Sequence, residues 1–362
     1  MAPVSIALIG GGMFAKMEHM VSVARPSLLG KPLTWVHEKP AIMKCDELQL
    51  NAIYSRTLKS AQATAELNTK GKVDLYSSDS GDGASLDDLL KRDDIQGVII
   101  ALPIASQPKF IEQAIRAGKH VLAEKPISPN VDSAKRLMEL VSTQPNVTLS
   151  IAENYRFIPK FIYAAEQAKK FGKVHHFSVK CFHFMEADSF WYSTGWRGNP
   201  QHQGGPILDG GIHYAAATRM FLEGESAAES TSAFTSLTCK YLPPIDTINA
   251  IIQTKSRASG TIQISFGSRI DALEWDFGLE GGSVKVSEDT VTVKPVGGEA
   301  VVKNFPSSSG VPEEVNAWAQ GIQAGKQNSL QSMQEALADL EFLEKIFRSG
   351  EQKGAVTKYL LQ

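Results

Sequence analysis

The chain has 362 residues, of which 43% are hydrophobic and 21% are charged, and its formal net charge is −2 at pH 7. This length and composition indicate a globular protein with room for two domains. A nearly neutral charge gives no electrostatic basis for binding nucleic acid or an anionic membrane surface. No apolar run approaches the roughly 20 residues of a membrane-spanning helix.

The amino terminus and the cysteines favour a cytoplasmic protein. The sequence MAPVSIALIGGG leads directly into a strand-like segment, without the basic region or cleavage site of a secretory signal. Cys45, Cys181 and Cys239 lie far apart and have no metal-ligand spacing. We therefore expect buried thiols in a reducing compartment, and we predict no metal centre.

The first 150 residues alternate short apolar runs with helical patterns. Strands are predicted at 4–10, 48–55, 97–103, 120–124 and 147–153, with helices that include 106–118 and 129–143. Continuous runs of Val, Ile and Leu are typical of strands that are buried on both faces of a parallel sheet. We therefore predict an α/β fold with a Rossmann dinucleotide-binding domain over residues 1–153. The segment from Pro26 to Glu47 is longer than an ordinary loop, and we interpret it as an insertion packed on this domain.

From about residue 174 the pattern changes to short segments typical of an antiparallel sheet. Strands are predicted at 173–184, 246–256, 260–268, 273–281, 283–288 and 290–295, and helices at 206–222, 312–324 and 330–348. One face of the segments 246–256 and 260–268 is polar yet almost uncharged, which favours an oligomer contact over plain exposure to solvent. We therefore predict a second, α+β domain over residues 154–362.

The stretch IALIGGGMFA carries a glycine pattern that is typical of dinucleotide binding. Gly10, Gly12 and Ala15 fit G-x-G-x-x-A after a predicted strand and before a helix. A tight turn there lets the backbone approach a pyrophosphate, and the positive end of the helix favours its charge. Glycines also cluster in ordinary strand–helix turns, but the strand before the pattern and the βα alternation after it support the interpretation.

The end of the second strand bears on the choice between NADP and NAD. A carboxylate there would bind the ribose 2′-hydroxyl, whereas an arginine would suit a 2′-phosphate. The segment NAIYSRT offers Ser55 and Arg56 and no carboxylate. NADP is therefore predicted and NAD is the alternative, although Arg56 would also suit an ordinary solvated position at a helix start.

The segment LAEKPISPN places Lys125 directly after a predicted strand and before a proline. Ligands of open α/β sheets bind at the carboxyl ends of the strands. A cis Lys125–Pro126 bond would fix the direction of the lysine, although only about 5–6% of X–Pro bonds are cis. Lys125 is therefore a candidate for the reaction site, and a surface lysine at the start of a loop is the alternative.

Asp209 and His213 lie four residues apart in a predicted helix that starts at Pro206. An aspartate one turn before a histidine can fix the imidazole tautomer and stabilise its protonated form, as a general acid or base requires. An exposed i,i+4 pair is the alternative. The glycines at 204, 205, 210 and 211 favour close approach of a ligand or of another backbone segment.

In this order, the motifs resemble the glucose–fructose oxidoreductase, inositol dehydrogenase and rhizopine-catabolism (Gfo/Idh/MocA) family over essentially the whole chain. The resemblance rests on GGGMFA at 10–15, AGKHVLAEKPIS at 117–128, AENYRF at 152–157, GKVHHF at 172–177 and GGPILDGGIHYAAATR at 204–219. It implies a Rossmann domain and a second domain with a large open sheet that is often used for oligomerisation. It also implies NAD(P)-linked redox chemistry at a sugar, polyol or similar carbon. We therefore expect a homodimer or homotetramer through that sheet.

The resemblance also assigns roles to individual residues. The family's Glu-Lys-Pro lysine corresponds to Lys125, its aspartate to Asp209 and its histidine to His213. The expected cofactor contacts are Gly10, Gly12, Met13, Phe14, Ala15, Ser55, Arg56, Leu102, Pro103, Gln107, Glu124 and Lys125. The chain departs from the family where Leu102, Ile104 and Gln107 stand in place of the Thr, Asn and His of Thr-Pro-Asn-x-x-His. This departure puts the contacts on the nicotinamide side in doubt but not the catalytic set.

The expected reaction is reversible hydride transfer between a carbinol or carbonyl carbon and the nicotinamide. His213, oriented by Asp209, would exchange the hydroxyl proton, and Lys125 would hydrogen-bond the same oxygen across a cleft between the domains. The candidate substrate contacts are Tyr155, Arg156, Trp191, Trp196, Arg197, Asp209 and His213, and the insertion at 26–47 is assigned to substrate shape. Two alternatives stay open: glycoside hydrolysis with tightly held NAD⁺, and a non-catalytic regulator that binds a dinucleotide and a protein partner.

Overall fold

A computed structural model describes residues 2–20, 41–189, 192 and 194–362. The chain forms two compact units, one comprising Met1–Asn154 with Val311–Ala336 and the other Tyr155–Gly310 with Leu337–Gln362. The segment 311–336 was expected in the second domain. It folds with the first unit because Val315 and Trp318 are buried in the same hydrophobic core as Leu8 of the parallel sheet.

The first unit is built on a six-stranded parallel sheet. Its strands are β1 (Val4–Ile9), β2 (Leu48–Ser55), β3 (Asp74–Ser77), β4 (Gly97–Ile100), β5 (His120–Glu124) and β6 (Leu149–Ala152). They lie in the order β3-β2-β1-β4-β5-β6, and each neighbouring pair is parallel. The predicted Rossmann arrangement is confirmed. The sequence did not predict β3, because its four residues are only partly buried and carry no continuous apolar run.

The second unit is built on a nine-stranded sheet. Its strands are β7 (Val174–Phe182), β8 (Ala228–Ser236), β9 (Thr247–Thr254), β10 (Ser259–Ser265), β11 (Ala272–Leu279), β12 (Gly282–Ser287), β13 (Thr290–Pro295), β14 (Val301–Asn304) and β15 (Thr357–Lys358). The order is β14-β13-β12-β11-β7-β10-β9-β8-β15. The pairings are antiparallel except that of β7 with β10, which is parallel, so the sheet is mostly antiparallel but mixed.

The strands β9 and β10 show the predicted alternation of faces. Ile248, Ile252 and Ile264 are fully buried, whereas Ile251 is 58% exposed on the opposite face. Phe234 on β8 pairs directly with Asn249 on that same face and is 66% exposed. This face therefore combines two exposed apolar side chains with uncharged polar ones.

The helices connect and cover these sheets. They are α1 (Ala41–Lys44), α2 (Leu58–Ala65), α3 (Leu86–Leu90), α4 (Gln107–Arg116), α5 (Val131–Ser142), α6 (Pro159–Lys170), α7 (Gly195–Gly198), α8 (Pro206–Asp209), α9 (Gly211–Arg219), α10 (Val311–Gln323) and α11 (Met333–Glu351). A π-helix spans Ala15–Met20, and short 3₁₀ turns span Asn154–Phe157, Gly224–Ser226 and Ser329–Gln331. Most of the 26–47 insertion lies outside the described residues, and its end forms α1 with Ile42 fully buried.

The helix predicted over 206–222 consists of two helices, α8 and α9, which meet at Gly210. A Cβ at Gly210 would lie 2.8 Å from the ring of Phe266, and one at Gly211 would touch Ile264 at 3.4 Å. The two glycines therefore let this segment pack directly against β10 and the residue that follows it. Glycine also weakens a helix interior, which accounts for the interruption.

Candidate active site

The glycine turn after β1 lies where the strand order of the parallel sheet reverses. Gly10 has φ +130°, and its N–H donates to the carbonyl oxygen of Tyr54 over 2.8 Å. A Cβ at Gly10 would overlap the carbonyl oxygen of Ala101, which follows β4, whereas no described atom lies within 4 Å of a Cβ built on Gly12. The turn is therefore tight against the sheet at Gly10 and open at Gly12, on the side from which a pyrophosphate would approach.

The helical segment after this turn connects the glycine turn with β5. Met13 and Phe14 are half-buried, and Ala15 is fully buried at the start of the π-helix. The Phe14 ring meets the His19 imidazole edge-on with 5.8 Å between ring centroids. His19 is fully buried, and its Nε2 lies 2.9 Å from Oε1 of Glu124. The Glu124 carboxylate, expected to contact the cofactor, is therefore engaged by a histidine.

The carboxyl end of β2 presents a basic side chain and a helix start. Ser55 is the last residue of the strand and is buried, whereas Arg56 is exposed. Thr57 caps α2 by accepting a hydrogen bond from the Ser60 N–H, and the Ser60 hydroxyl donates to the carbonyl oxygen of Gly11 over 3.1 Å. The glycine turn and the start of α2 are thus joined directly, and Arg56 stands beside them.

The segment after β4 carries three residues that were expected to contact the cofactor. Leu102 and Pro103 are half-buried. Gln107, the first residue of α4, is fully buried, and its Nε2 donates to the carbonyl oxygens of Glu124 over 2.9 Å and of Pro126 over 3.1 Å. The side-chain nitrogen of Gln107 therefore donates hydrogen bonds to the backbone on both sides of Lys125.

The stretch LAEKPISPN forms a strand end, a turn and a helix cap. Lys125 follows β5 and is half-buried, and the Lys125–Pro126 peptide bond is cis. The Ser128 hydroxyl then donates to the carbonyl oxygen of Asn130 over 2.6 Å. Asn130 caps α5 by accepting from the Ser133 N–H over 2.9 Å. The backbone on both sides of Lys125 is therefore held by hydrogen bonds.

A buried carboxyl group lies in the same unit as this segment. Glu314 on α10 is 1% exposed, and its Oε2 has no hydrogen-bond partner among the described residues. Burial raises the pKa of Glu314 well above its usual range, and four neighbouring carboxylates raise it further, those of Glu124, Glu153, Glu18 and Glu313. Folding therefore shifts the equilibrium of this acid towards its neutral form.

In the second unit, His213 is held by an aromatic contact. The residue is half-buried on α9, and its imidazole stacks on the Tyr155 ring with 4.8 Å between centroids and 17° between planes. Tyr155 also stacks on Phe161 at 5.6 Å. The plane of the histidine ring is thus set by a column of aromatic side chains.

Asp209 is held by an arginine of the short helix α7. The Nε of Arg197 lies 2.6 Å from Oδ2 of Asp209, and both side chains are largely shielded from solvent. The Arg197 guanidinium also lies 4.1 Å from the centroid of the half-buried Trp196 ring. The structure thus brings Asp209, Arg197 and Trp196 together, while Trp191 lies outside the described residues.

Arg156 is engaged in a buried ion pair rather than exposed for a substrate. Its two terminal nitrogens lie 2.6 Å and 2.7 Å from the oxygens of Asp339, and both side chains are almost fully buried. The Nη1 of Arg219, at the end of α9, binds the same carboxylate over 2.6 Å. A sequence separation of 183 residues hid this partner from any local pattern.

The glycines before α8 approach protein atoms. Gly204 and Gly205 have φ of +70° and +49°. Cβ atoms on them would overlap the Phe347 ring and the carbonyl oxygen of Pro243. The expected approach of another backbone segment is therefore seen at Gly205, whereas Gly204 approaches a side-chain ring.

Two family-wide sequence profiles match the chain. The profile of an oxidoreductase family with an NAD-binding Rossmann fold matches residues 4–152, and the profile of the GFO/IDH/MocA C-terminal domain matches residues 162–285. Dehydrogenase FPY6 of Fusarium mangiferae is 34% identical over 363 residues, which cover 98% of each chain. The chain belongs to the Gfo/Idh/MocA family. It is therefore an NAD(P)-binding oxidoreductase.

Two other proteins show how far this Gfo/Idh/MocA likeness extends. D-xylose 1-dehydrogenase (NADP⁺) 2 of Haloferax volcanii is 26% identical over 328 residues, covering 88% of this chain and 94% of the relative. The crystal structure of an oxidoreductase from Thermotoga maritima matches with a TM-score of 0.83 and 26% identity, covering 98% of both chains. Both units thus belong to one family architecture.

In this Gfo/Idh/MocA protein, the sequence analysis did not identify a buried tyrosine that interacts electrostatically with Asp209 and Arg197. Tyr192 is 8% exposed, and its hydroxyl has no hydrogen-bond partner among the described residues. Burial, followed by the Asp209 charge, raises the pKa of Tyr192 to about 12. A single tyrosine in a loop carries no periodic signal, so only the tertiary structure reveals this phenol.

The described residues also bear on metals and membranes. Among residues 2–20, 41–189, 192 and 194–362, no group of three or more His, Cys, Asp or Glu side chains is arranged to hold a metal ion. Within the same part of the chain, no helix has the length and apolar character needed to cross a membrane.

Proposed function

We propose that this protein catalyses reversible hydride transfer between a nicotinamide cofactor and a carbinol or carbonyl carbon of a sugar, polyol or related small molecule. The observation that carries the proposal is the position of Lys125. It follows β5 at the same carboxyl edge of the parallel sheet as the Gly10 turn. Open α/β sheets bind their ligands at this edge. The nicotinamide, when bound, would supply or accept the hydride.

Three side chains would handle the proton of the substrate hydroxyl. His213 exchanges it as general acid or base, with its ring plane held by Tyr155. Asp209, which precedes His213 by four residues and is also held by Arg197, would support the protonated imidazole through its negative charge. Lys125 hydrogen-bonds the same substrate oxygen and stabilises the negative charge that develops there.

The substrate class is supported by the aromatic and basic side chains next to Asp209 and next to His213. Trp196 and Arg197 offer an aromatic face and a guanidinium, and Tyr155 offers a phenol ring, all of which suit a polyhydroxylated ligand. The name of the D-xylose dehydrogenase relative points to the same class. Trp191 stays a predicted contact, whereas the ion pair with Asp339 leads us to withdraw Arg156 from the proposed substrate contacts.

Turnover with variants of Lys125 and His213 tests this proposal. The protein is first assayed with NADP⁺ and NAD⁺ against aldoses, polyols and dihydrodiols. Because general acid–base groups contribute about 10²–10⁴-fold, we expect losses of that size in Lys125→Met and His213→Asn with cofactor affinity retained. The exposed residues Lys135 and His175 supply matched controls, Lys135→Met and His175→Asn, which should keep full turnover.

Two outcomes would contradict the proposal. Full turnover in both Lys125→Met and His213→Asn would remove these residues from the mechanism. Purified protein that carries non-exchanging NAD⁺ and cleaves a 4-nitrophenyl glycoside would instead favour the hydrolytic alternative.

NADP is the proposed cofactor because the end of β2 offers Arg56 and no carboxylate. We test this preference with Arg56→Ser, and the exposed Arg136→Ser serves as control. Charged hydrogen bonds contribute about 1.5–3 kcal/mol, so the NADPH dissociation constant should rise roughly 10- to 100-fold. The NADH dissociation constant should stay unchanged. A rise for both cofactors alike would argue against a contact with the 2′-phosphate.

We further propose that the protein forms a homodimer or homotetramer through the open face of the second sheet. Phe234 and Ile251 are exposed there among uncharged polar residues, and the Gln263 side chain donates to Asn249 over 3.0 Å on this face. Sedimentation of wild type and Ile251→Lys tests this assembly, with the exposed Val296→Lys as control. A wild-type protein that sediments as a monomer would contradict it.

We also propose that the protein works in a reducing, cytoplasmic compartment. Cys45, Cys181 and Cys239 are free thiols, and burial raises the pKa of the Cys45 and Cys181 thiols. Titration of the native and the urea-unfolded protein with a thiol reagent checks this state. All three thiols should react after unfolding without any prior reduction.

A further inference from the structure

Gln107 makes two hydrogen bonds that enclose Lys125. Its Nε2 donates to the carbonyl oxygen of Glu124, which precedes the lysine, and to that of Pro126, which follows it, at 2.9 Å and 3.1 Å. The side chain of Gln107 is fully buried, and Glu124 is 7% exposed. One amide nitrogen thus links the carbonyl groups of the two residues that flank the proposed reaction-site lysine.

The orientation of this amide is fixed by chemistry. The two groups near Nε2 are both carbonyl oxygens, which only accept hydrogen bonds. Turning the amide over would place Oε1 against these two acceptors in a buried site, where no hydrogen bond could form to either. In the observed orientation Nε2 meets both acceptors, and Oε1 has no hydrogen-bond partner among the described residues. The observed orientation is therefore favoured over the reversed one.

The residue before Lys125 is also held through its side chain. The Glu124 carboxylate lies 2.9 Å from Nε2 of the buried His19. In the strand ladder, Glu124 pairs with Ala152 of β6. Gln107, His19 and the ladder thus restrain the backbone from which Lys125 extends, and of these Gln107 alone contacts both sides of the lysine.

From this geometry we propose that Gln107 is a positioning residue for Lys125. The inference rests on the role proposed for Lys125. The two N–H groups of a single amide nitrogen can bond two carbonyl oxygens at once. A neutral histidine carries one N–H and can donate one such bond, so glutamine at this position is a specific feature of the chain.

The first test needs no substrate. The lysines of the unliganded protein are ¹³C-dimethylated, and the Lys125 signal is identified by its loss in Lys125→Arg. We compare the pH titration of that signal in wild type, Gln107→Met and Gln113→Met. Gln113 lies on the same helix, α4, so its variant is a matched control. The titration should shift in Gln107→Met and coincide with wild type in Gln113→Met. An unchanged titration in Gln107→Met would overturn the inference.

The second test measures coupling between Gln107 and Lys125. The assay uses NADP⁺ with the aldose or polyol that the wild type turns over fastest. A misplacement of a reacting group by about 1 Å can cost 10²-fold, so kcat should fall by up to that factor in Gln107→Met. The Michaelis constant of Gln107→Met for NADP⁺ should equal that of the wild type. Gln107→His should recover part of the loss because it restores one donor.

The double variant separates positioning from a general structural effect. If Gln107 acts through Lys125, then adding Gln107→Met to Lys125→Met should change kcat by no more than about twofold, the usual scatter of additive effects. Losses that multiply would overturn the positioning role while leaving the proposed function intact. If Lys125→Met by itself keeps full turnover, the proposed function fails. The pH titration of the Lys125 signal in Gln107→Met then still tests whether Gln107 positions Lys125.

Discussion

The Tyr155 ring stacks on the His213 imidazole with 4.8 Å between the ring centroids and 17° between the ring planes. Arg156, the next residue after Tyr155, is bound to Asp339 through two hydrogen bonds. Arg219, at the end of the helix that carries His213, is bound to the same carboxylate over 2.6 Å. One buried carboxylate therefore ties together the two chain segments whose rings stack.

We expect Tyr155→Leu to lower turnover with little effect on the Michaelis constants. An aromatic pair contributes about 0.5–1.5 kcal/mol beyond its buried area, and a loss of this size in the transition state corresponds to roughly 2- to 13-fold in kcat. Tyr155→Phe keeps the stack and is the matched control. Steady-state kinetics of both variants check the prediction, and equal losses in the two would point to the hydroxyl instead.

Asp339→Asn should destabilise the second unit strongly. Burial favours a higher pKa for Asp339, but the charges and hydrogen bonds of Arg156 and Arg219 outweigh it and lower the pKa. The carboxylate is therefore ionised at pH 7, where its contribution to stability is fully present, and that contribution is lost as pH falls through the folded-state pKa. Breaking a buried ion pair costs about 3–5 kcal/mol, so the urea midpoint should fall clearly. The exposed Asp132→Asn is the control, and equal midpoints for the two variants would refute the prediction.

Glu314→Gln should stabilise the protein increasingly as pH rises. The pKa of Glu314 is raised in the folded state, so the folded protein binds a proton that the unfolded chain releases above its ordinary value of about 4.3. The contribution of Glu314 to stability is therefore present at low pH and is lost as pH rises towards the folded-state pKa, by up to about 1.4 kcal/mol per pH unit. Glutamine resembles the neutral acid and needs no proton.

The measurement is the free energy of unfolding from urea titrations between pH 5 and pH 8. The difference between Glu314→Gln and wild type should grow across this range. Glu139→Gln, an exposed change on α5, should show a constant difference. If the difference in unfolding free energy between Glu314→Gln and wild type does not change with pH, Glu314 has the same pKa in the folded and unfolded states, and the prediction is wrong.

Gly10→Ala should lower the stability of the protein, whereas Gly12→Ala should weaken cofactor binding. Alanine at Gly10 combines a φ of +130° with overlap of the Ala101 carbonyl oxygen, so we expect at least about 1 kcal/mol of destabilisation. Alanine at Gly12 meets no described atom within 4 Å and should change stability by less than about 0.5 kcal/mol. It should nevertheless weaken cofactor binding, because its methyl group projects where the pyrophosphate would approach. Thermal unfolding and NADPH titration check both variants, and normal NADPH affinity in Gly12→Ala would contradict the proposed approach.

The sequence by itself determined the class of fold and the positions of the main strands. Continuous apolar runs predicted β1, β4 and β5, and alternating residues predicted β9 and β10. The glycine turn and the Glu-Lys-Pro segment were equally visible, because each is a pattern of neighbouring residues. Periodicity and turn chemistry are local properties, so they can be identified before any contact in space is known.

Only the tertiary structure decided which groups the polar side chains meet. Arg156, a candidate substrate contact, binds Asp339 across 183 residues of sequence, and Gln107, a candidate cofactor contact, binds the backbone on both sides of Lys125. The interruption at Gly210 likewise depends on Phe266. Local pattern selects a helix or a strand. The partner of a buried polar group depends on which distant segments pack around it, because each buried donor or acceptor must be satisfied where it lies.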